Sequence, residues 1–254
     1  MTPPVSPEFS DRLDAPYELA KARVAIVEDN EIQAAQVDEI VREGGYLASV
    51  FDTATAFKRS LRRETYDFLL TDWFLPDQSG IELVRWMRDT RGDTIPIIMI
   101  TVRTEPADVV EALRAGADDY VSKPVNGQIL LARMDAIRRR IYRHEALKRH
   151  WVVGSYTFDN ILEVVTYQGN PIELTPKEFQ LAALLFENVE RPLSRSFLLD
   201  IVWGHGSHLL TRTLDVHISR IRSKLHLAPG QEFSLIPVHN YGYRLVREKE
   251  PESG

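Results

Sequence analysis

The 254-residue chain predicts two domains of different class. The first is an α/β domain, a doubly wound parallel sheet of five strands, and an α+β domain with a helical core flanked by antiparallel strands follows it. Three observations carry this. Apolar runs of strand length alternate five times with segments of helical periodicity up to residue 142. After Trp151 the pattern changes to short alternating segments and then three helices. The run Phe68-Leu69-Leu70 reads as a strand buried on both faces, and it ends at Asp72 before a Pro76 and Gly80 loop. Open α/β sheets bind ligands at that strand end.

The elements follow in order. Residues 1–21, rich in Pro, Asp and Ser, read as a flexible tail. In the first domain, residues 22–142, strands are predicted at 24–27, 46–51, 68–71, 96–101 and 120–121. Helices are predicted at 32–41, 54–63, 81–88, 107–115 and 128–142, the first ended by Gly44-Gly45 and the fourth by Gly116. Residues 143–151 form a basic linker. In the second domain, residues 152–247, strands are expected at 156–158, 163–167 and 172–174, with a turn at 169–171. Thr175-Pro176-Lys177-Glu178 marks a helix start with a capping box. Helices at 194–202 and 212–225, a hairpin at 236–246 and a short tail at 248–254 complete the chain.

Composition narrows the function. The absence of cysteine excludes disulfides and thiol chemistry. The start has no apolar signal segment, and no apolar run is long enough to span a bilayer, so a cytoplasmic protein with no membrane partner is expected. Residues 1–142 hold 18 basic and 24 acidic residues, whereas residues 151–247 balance at 9 and 9. Nucleic-acid binding must therefore rest on a local patch.

In the first domain, Glu28-Asp29, Asp72, Thr101 and Lys123 all fall at the carboxyl ends of predicted strands. Carboxylates brought that close repel, and a hard divalent cation with oxygen ligands relieves them. Mg²⁺ suits the set because it contains no His or Cys. A cation, a carboxylate nucleophile, an ammonium and a hydroxyl together suit phosphoryl transfer.

These motifs, with Gly116-Ala117-Asp118-Asp119-Tyr120 and Lys123-Pro124, resemble the receiver domains of two-component response regulators. The whole chain is similar to the OmpR/PhoB family. The resemblance implies a flavodoxin-like receiver in which Asp72 accepts phosphate from a sensor histidine kinase. It implies Mg²⁺ held by Glu28, Asp29, Asp72 and the backbone carbonyl of Phe74, with Lys123 paired to the phosphate. Thr101 would bond a phosphoryl oxygen and Tyr120 would turn inward as it moves. A homodimer on activation is implied too. The family's charged pair on the fourth and fifth helices is replaced here by Val109 and Ile129, while Asp119 and Arg133 of another dimer contact remain. Val102 and Val125 also depart from the pattern, which has a small residue and a phenylalanine there.

In the second domain, Leu214, Ile218, Ile221 and Leu225 form one apolar stripe of a helix carrying Arg212, Arg220, Arg222 and Lys224 against a single acid, Asp215. A preceding helix, a Trp203-Gly204 turn and a following hairpin make this a winged helix-turn-helix whose second helix enters the major groove. The stretch resembles the family's recognition helix. By that match Arg220 and Asp215 read bases, while Arg212, His217 and Arg222 hold phosphates. Operator DNA with paired half-sites is the expected partner. In the wing His239 replaces the family's arginine, and Asn240 replaces a glycine. RNA polymerase is a further partner in the family through the loop at 204–211, where Leu210 and Thr211 replace acidic residues. His205 and His208 in that loop lack a third metal ligand.

The reading is therefore a phosphorylation-dependent DNA-binding regulator, catalysing no more than its own phosphorylation and dephosphorylation. A haloacid-dehalogenase-type phosphatase does not fit, because position 74 is Phe and Asp72 follows the third strand. A regulator that binds DNA without phosphate, using its receiver as a constitutive dimer module, is the alternative.

Overall fold

The computed structural model describes residues 22–90, 95–103, 105–142, 150–204 and 211–248. The N-terminal tail, the linker at 143–149, the loop at 205–210 and the last residues lie outside them. Residues 21–144 form the body of one compact unit, and residues 145–238 with 243–254 that of a second. No helix among the described residues is long and apolar enough to cross a membrane.

The first unit runs β1 (Arg23–Val27), α1 (Glu31–Glu43), β2 (Leu47–Phe51), α2 (Ala54–Ser60), β3 (Phe68–Asp72), α3 (Gly80–Arg85), β4 (Ile97–Thr101), α4 (Pro106–Ala115), β5 (Asp119–Ser122) and α5 (Gly127–Tyr142). Its five strands are parallel, in the order β2-β1-β3-β4-β5. Side chains alternate across this sheet and build a core on each face. Val24, Ile26, Phe68, Leu70, Ile98 and Ile100 pack with Val37 and Val41 of α1 and Leu130, Met134 and Ile137 of α5. Ala25, Val27, Leu69, Ile97 and Met99 pack with Phe57, Leu83, Val84 and Met87 on the other face. There α4 contributes only Ala112 and Ala115.

Local chemistry sets the ends of the helices. Asn30, Thr53 and Ser79 each accept a backbone N–H at a helix start, and Glu82 completes a capping box with Ser79. Two helices differ from the sequence expectation. α2 ends at Ser60, because Arg62 and Arg63 bond back three residues and tighten the chain into a turn. The helix begun at Gly80 widens into a π turn over Trp86–Thr90, which apolar spacing does not reveal.

The second unit runs β6 (His150–Val153), β7 (Tyr156–Asp159), β8 (Val164–Tyr167), β9 (Asn170–Ile172), α6 (Pro176–Glu187), β10 (Leu193–Ser194), α7 (Arg195–Trp203), α8 (Thr211–Lys224), β11 (Phe233–Val238) and β12 (Gly242–Arg247). A four-stranded sheet, β6-β7-β8-β9, precedes the helices and a three-stranded sheet, β10-β12-β11, is completed after them. The predicted capping box of Thr175 and Glu178 is present. β6 occupies the end of the expected linker, with Trp151 buried and stacked on Phe158. The turn expected at 169–171 sits at Gln168 and Gly169, both at positive φ. Pro171 then lies in edge strand β9, where a missing N–H is tolerated. All of the predicted stripe of α8 is buried, and Tyr156 donates its hydroxyl to the carbonyl of Leu225 at 2.5 Å.

One glycine is fixed by close approach. Gly80 donates its N–H to the Trp73 carbonyl at 2.7 Å, and a Cβ there would lie 1.9 Å from the carbonyl oxygen of Asp72. Gly80→Ala is expected to destabilise the unit by about 1–3 kcal/mol, as overpacking does. Chemical denaturation reads this, and an unchanged midpoint would show that the turn yields without cost.

Candidate functional site

Parallel pairing brings the polar residues of the first unit to one edge. Val27 is in register with Thr71, Asp72 with Ile100, and Thr101 with Ser122. Glu28 and Asp29 follow β1, Asp72 ends β3, Thr101 ends β4 and Lys123 follows β5. One oxygen from each of Glu28, Asp29 and Asp72 lies within 4.8 Å of the others. Glu28 and Asp72 are buried, and Asp29 is exposed. Lys123 Nζ donates to Glu28 at 2.7 Å and to Asp72 at 2.8 Å. The N–H of Trp73 donates to Asp72 Oδ1 at 2.6 Å, and that of Asn30 to Glu28 at 3.3 Å.

This is a charge-dense corner. Burial pushes the Glu28 carboxyl up, Lys123 works against that, and the Asp72 charge adds to the rise. Three carboxylates face one ammonium, so the cluster keeps a net negative charge. Its ligand atoms are all oxygens and it opens to solvent at Asp29, which fits a hard divalent cation that keeps some of its waters.

The other residues of this corner are placed as follows. Phe74 is exposed, in a turn closed by a bridge to Ser79. Thr101 is fully buried, and its Oγ1 accepts the N–H of Arg103 at 3.2 Å. Tyr120 packs partly buried against the core, and its hydroxyl has no hydrogen-bond partner among the described residues. On the face of α4 and α5, Val109 is half-buried, while Val110, Leu113 and Ile129 are 45%, 47% and 49% exposed. Asp119 and Arg133 pair with each other inside the chain at 2.6 Å.

In the second unit, α8 presents Arg212, Asp215, Arg220 and Lys224 on its exposed side. Three of the expected DNA contacts have structural partners that the sequence reading did not include. Asp215 Oδ1 accepts the Tyr243 hydroxyl at 2.6 Å and pairs with Arg195 at 2.8 Å. Burial raises its carboxyl, but those two partners outweigh burial and hold it below the usual carboxylate range. Arg222 donates from Nε and Nη2 to the carbonyl of Leu235, tying α8 to β11. His217 Nδ1 bonds the Thr213 carbonyl at 2.8 Å, and the ring meets Trp203 edge-on. Arg220, 57% exposed, reaches Glu178 only at 4.0 Å. Glu178 is buried at the start of α6 and is held instead by Lys224 at 2.8 Å. His239 is exposed, and Asn240 takes a positive φ of 55°. The roles of Arg195 and Tyr243, and the pairing of Lys224 with Glu178, are not visible in the sequence because the partners lie far apart along the chain.

Known proteins resemble this chain over most of its length. Residues 24–135 match the response regulator receiver domain, and residues 169–245 match the C-terminal domain of transcriptional regulatory proteins. Sensory transduction protein RegX3 of Mycobacterium tuberculosis is 36% identical over 224 residues, 87% of this chain and 98% of that protein. The phosphate regulon transcriptional regulatory protein PhoB of Rhizobium meliloti is 35% identical over 207 residues, 81% and 91% of the two chains. Among solved structures, the response regulator DrrB of Thermotoga maritima, an OmpR/PhoB homolog, is 29% identical. It covers 89% of this chain and 99% of its own, with a TM-score of 0.43.

Arg220 and Arg222 of α8 should separate in stability. Arg222→Ala is expected to cost about 1–3 kcal/mol, because it leaves the Leu235 carbonyl without its charged donor. Arg220→Ala should change stability by about 0–1 kcal/mol, as for an exposed pair. Thermal denaturation of both variants checks this, and equal losses would contradict the assignment.

Proposed function

The chain belongs to the OmpR/PhoB family of two-component response regulators, and on that premise we propose that Asp72 is its phosphoacceptor. It is a phosphorylation-dependent, DNA-binding transcriptional regulator, and a sensor histidine kinase and double-stranded DNA are its partners. The observation that carries the site is the Lys123 ammonium held between Glu28 and Asp72 at the carboxyl edge of the sheet.

In this reading an Asp72 carboxylate oxygen attacks the phosphorus of the donor in line, forming the acyl phosphate as the donor's bond to phosphorus breaks. Lys123, already beside Asp72, balances the charge on the phosphoryl oxygens. Thr101 turns its hydroxyl to donate to one of them, and Tyr120 moves with it. Glu28, Asp29, Asp72 and the backbone carbonyl of Phe74 would hold Mg²⁺, which when bound supplies charge neutralisation of the transferring group.

For DNA, Arg220 is the base reader, since its guanidinium is exposed and only loosely paired. Arg212 and His239, both exposed, suit phosphate or groove contacts. Asp215, His217 and Arg222 chiefly set the position of α8. Activated copies pair through the face of α4 and α5, with Val109 against Ile129, on two half-sites in the cytoplasm. Contact with RNA polymerase through the loop at 204–211 belongs to the same proposal. The exposed Val110, Leu113 and Ile129 also favour a second reading, in which that face dimerises before any phosphorylation.

Two experiments test these assignments. Asp72→Asn should abolish phosphate incorporation from acetyl phosphate with Mg²⁺, and should leave DNA selected by the wild type from a random pool bound at the unphosphorylated level. Stoichiometric phosphorylation of the variant would sink the assignment. Ile129→Glu should weaken the dimer in sedimentation, and adding Val109→Arg should restore it in a form that dissociates as salt rises. Normal dimerisation by Ile129→Glu would exclude this interface.

A further inference from the structure

Arg103, two residues past the end of β4, makes three contacts that meet at the phosphorylation corner. Its backbone N–H donates to Thr101 Oγ1 at 3.2 Å. Its guanidinium lies over the Trp73 ring, 4.4 Å from the centroid, and pairs with Asp108 at 2.5 Å. Trp73 follows Asp72 directly and donates its N–H to the Asp72 carboxylate. Asp108 is buried in the first turn of α4. One residue is thus tied to the neighbour of Asp72, to the Thr101 hydroxyl and to the start of α4.

We propose that Arg103 is a positioning residue, a latch that holds Thr101 and α4 in their resting arrangement and lets go when Asp72 carries a phosphoryl group. This rests on Asp72 as the phosphoacceptor. The Thr101 oxygen is engaged by the Arg103 N–H, so a rotation of the side chain that carries this oxygen toward Asp72 draws it away from its donor. The Arg103 backbone must follow or lose the bond. Its guanidinium cannot then keep both the Trp73 ring and the Asp108 carboxylate, which sit on different elements. A close ion pair with one buried member does not stretch gradually, so the loop has two positions rather than a continuum.

The surroundings give the released state somewhere to go. Burial, and after it the charge of Asp108, push the Tyr120 hydroxyl up, and the charge of Arg103 works against that rise. That hydroxyl is buried and has no hydrogen-bond partner among the described residues. On this proposal the Tyr120 hydroxyl is the donor that Asp108 takes once Arg103 leaves it. The groups facing Arg103 are therefore an aromatic ring on β3's end, a carboxylate on α4 and the hydroxyl of Thr101.

The test uses the full chain and acetyl phosphate with Mg²⁺ as the phosphoryl source. A latch opposes the reactive arrangement, so removing it should speed phosphorylation, whereas loss of a merely structural contact should not. Arg103→Ala and Asp108→Asn should each raise the rate of phosphate incorporation about 5-fold, the lower end of ordinary coupling between sites. The double variant should be no faster than either single one, because both break the same pair. Arg103→Lys keeps the charge but not the flat face over Trp73, and it should fall between wild type and Arg103→Ala. If Asp108→Asn does not fold, the two Arg103 variants decide the matter. Folded variants with unchanged or slower incorporation, beside a wild type that phosphorylates normally, overturn the latch alone. A wild type that takes no phosphate overturns the phosphoacceptor reading, and the latch with it.

Discussion

The first domain depends on one ammonium shared by two buried carboxylates. Glu28 follows β1 and Asp72 ends β3, and without Lys123 between them they would face each other with only single backbone N–H donors to offset their charge. Breaking a buried ion pair by removing one partner costs about 3–5 kcal/mol, because the charge left behind is uncompensated. The same arrangement leaves the corner short of positive charge, since Asp29 has no share of Lys123 among the hydrogen bonds described. A site that is stable and still electron-rich can receive both a cation and a phosphoryl group. Stability and reactivity have one origin here.

The second domain solves a different problem, that of aiming a helix. Its buried stripe fixes which face of α8 turns inward, but a stripe alone permits sliding and rotation. Arg222 on the Leu235 carbonyl, Asp215 on Tyr243 and Arg195, and Lys224 on Glu178 tie the helix to β11, β12, α7 and α6. Side chains that look like a DNA-binding surface are partly spent on holding that surface still. On the proposed reading, specificity then falls on few residues, with Arg220 prominent among them.

Much of this was legible in the sequence, for physical reasons. Apolar runs of strand length that alternate with helical patterns point to parallel strands, so the order of elements and the gathering of Glu28, Asp29, Asp72, Thr101 and Lys123 at one edge followed from alternation. The capping box at Thr175 and Glu178 is a local pattern and was equally visible. What stayed hidden was not local. β6 is only four residues long and starts inside the basic linker, and two-residue β10 is too short to show a period. The partners of Asp215 and Arg222 lie on other elements, so an acid and a base on a helix surface read as free to meet DNA. The contacts of Arg103 with Trp73 and Asp108 join residues of different elements, so no local pattern shows them.

The way α4 is seated gives the receiver unequal mobility. α5 sinks Leu130, Met134 and Ile137 into one face of the sheet, whereas α4 meets the other face through the methyl groups of Ala112 and Ala115. Burial stabilises in proportion to apolar area, and a methyl offers little of it. Shallow, nearly featureless contacts also interlock poorly, so a small translation of α4 gives up few of them. Local opening draws on the least deeply anchored segments. Amide exchange in α4 would thus run ahead of that in α5.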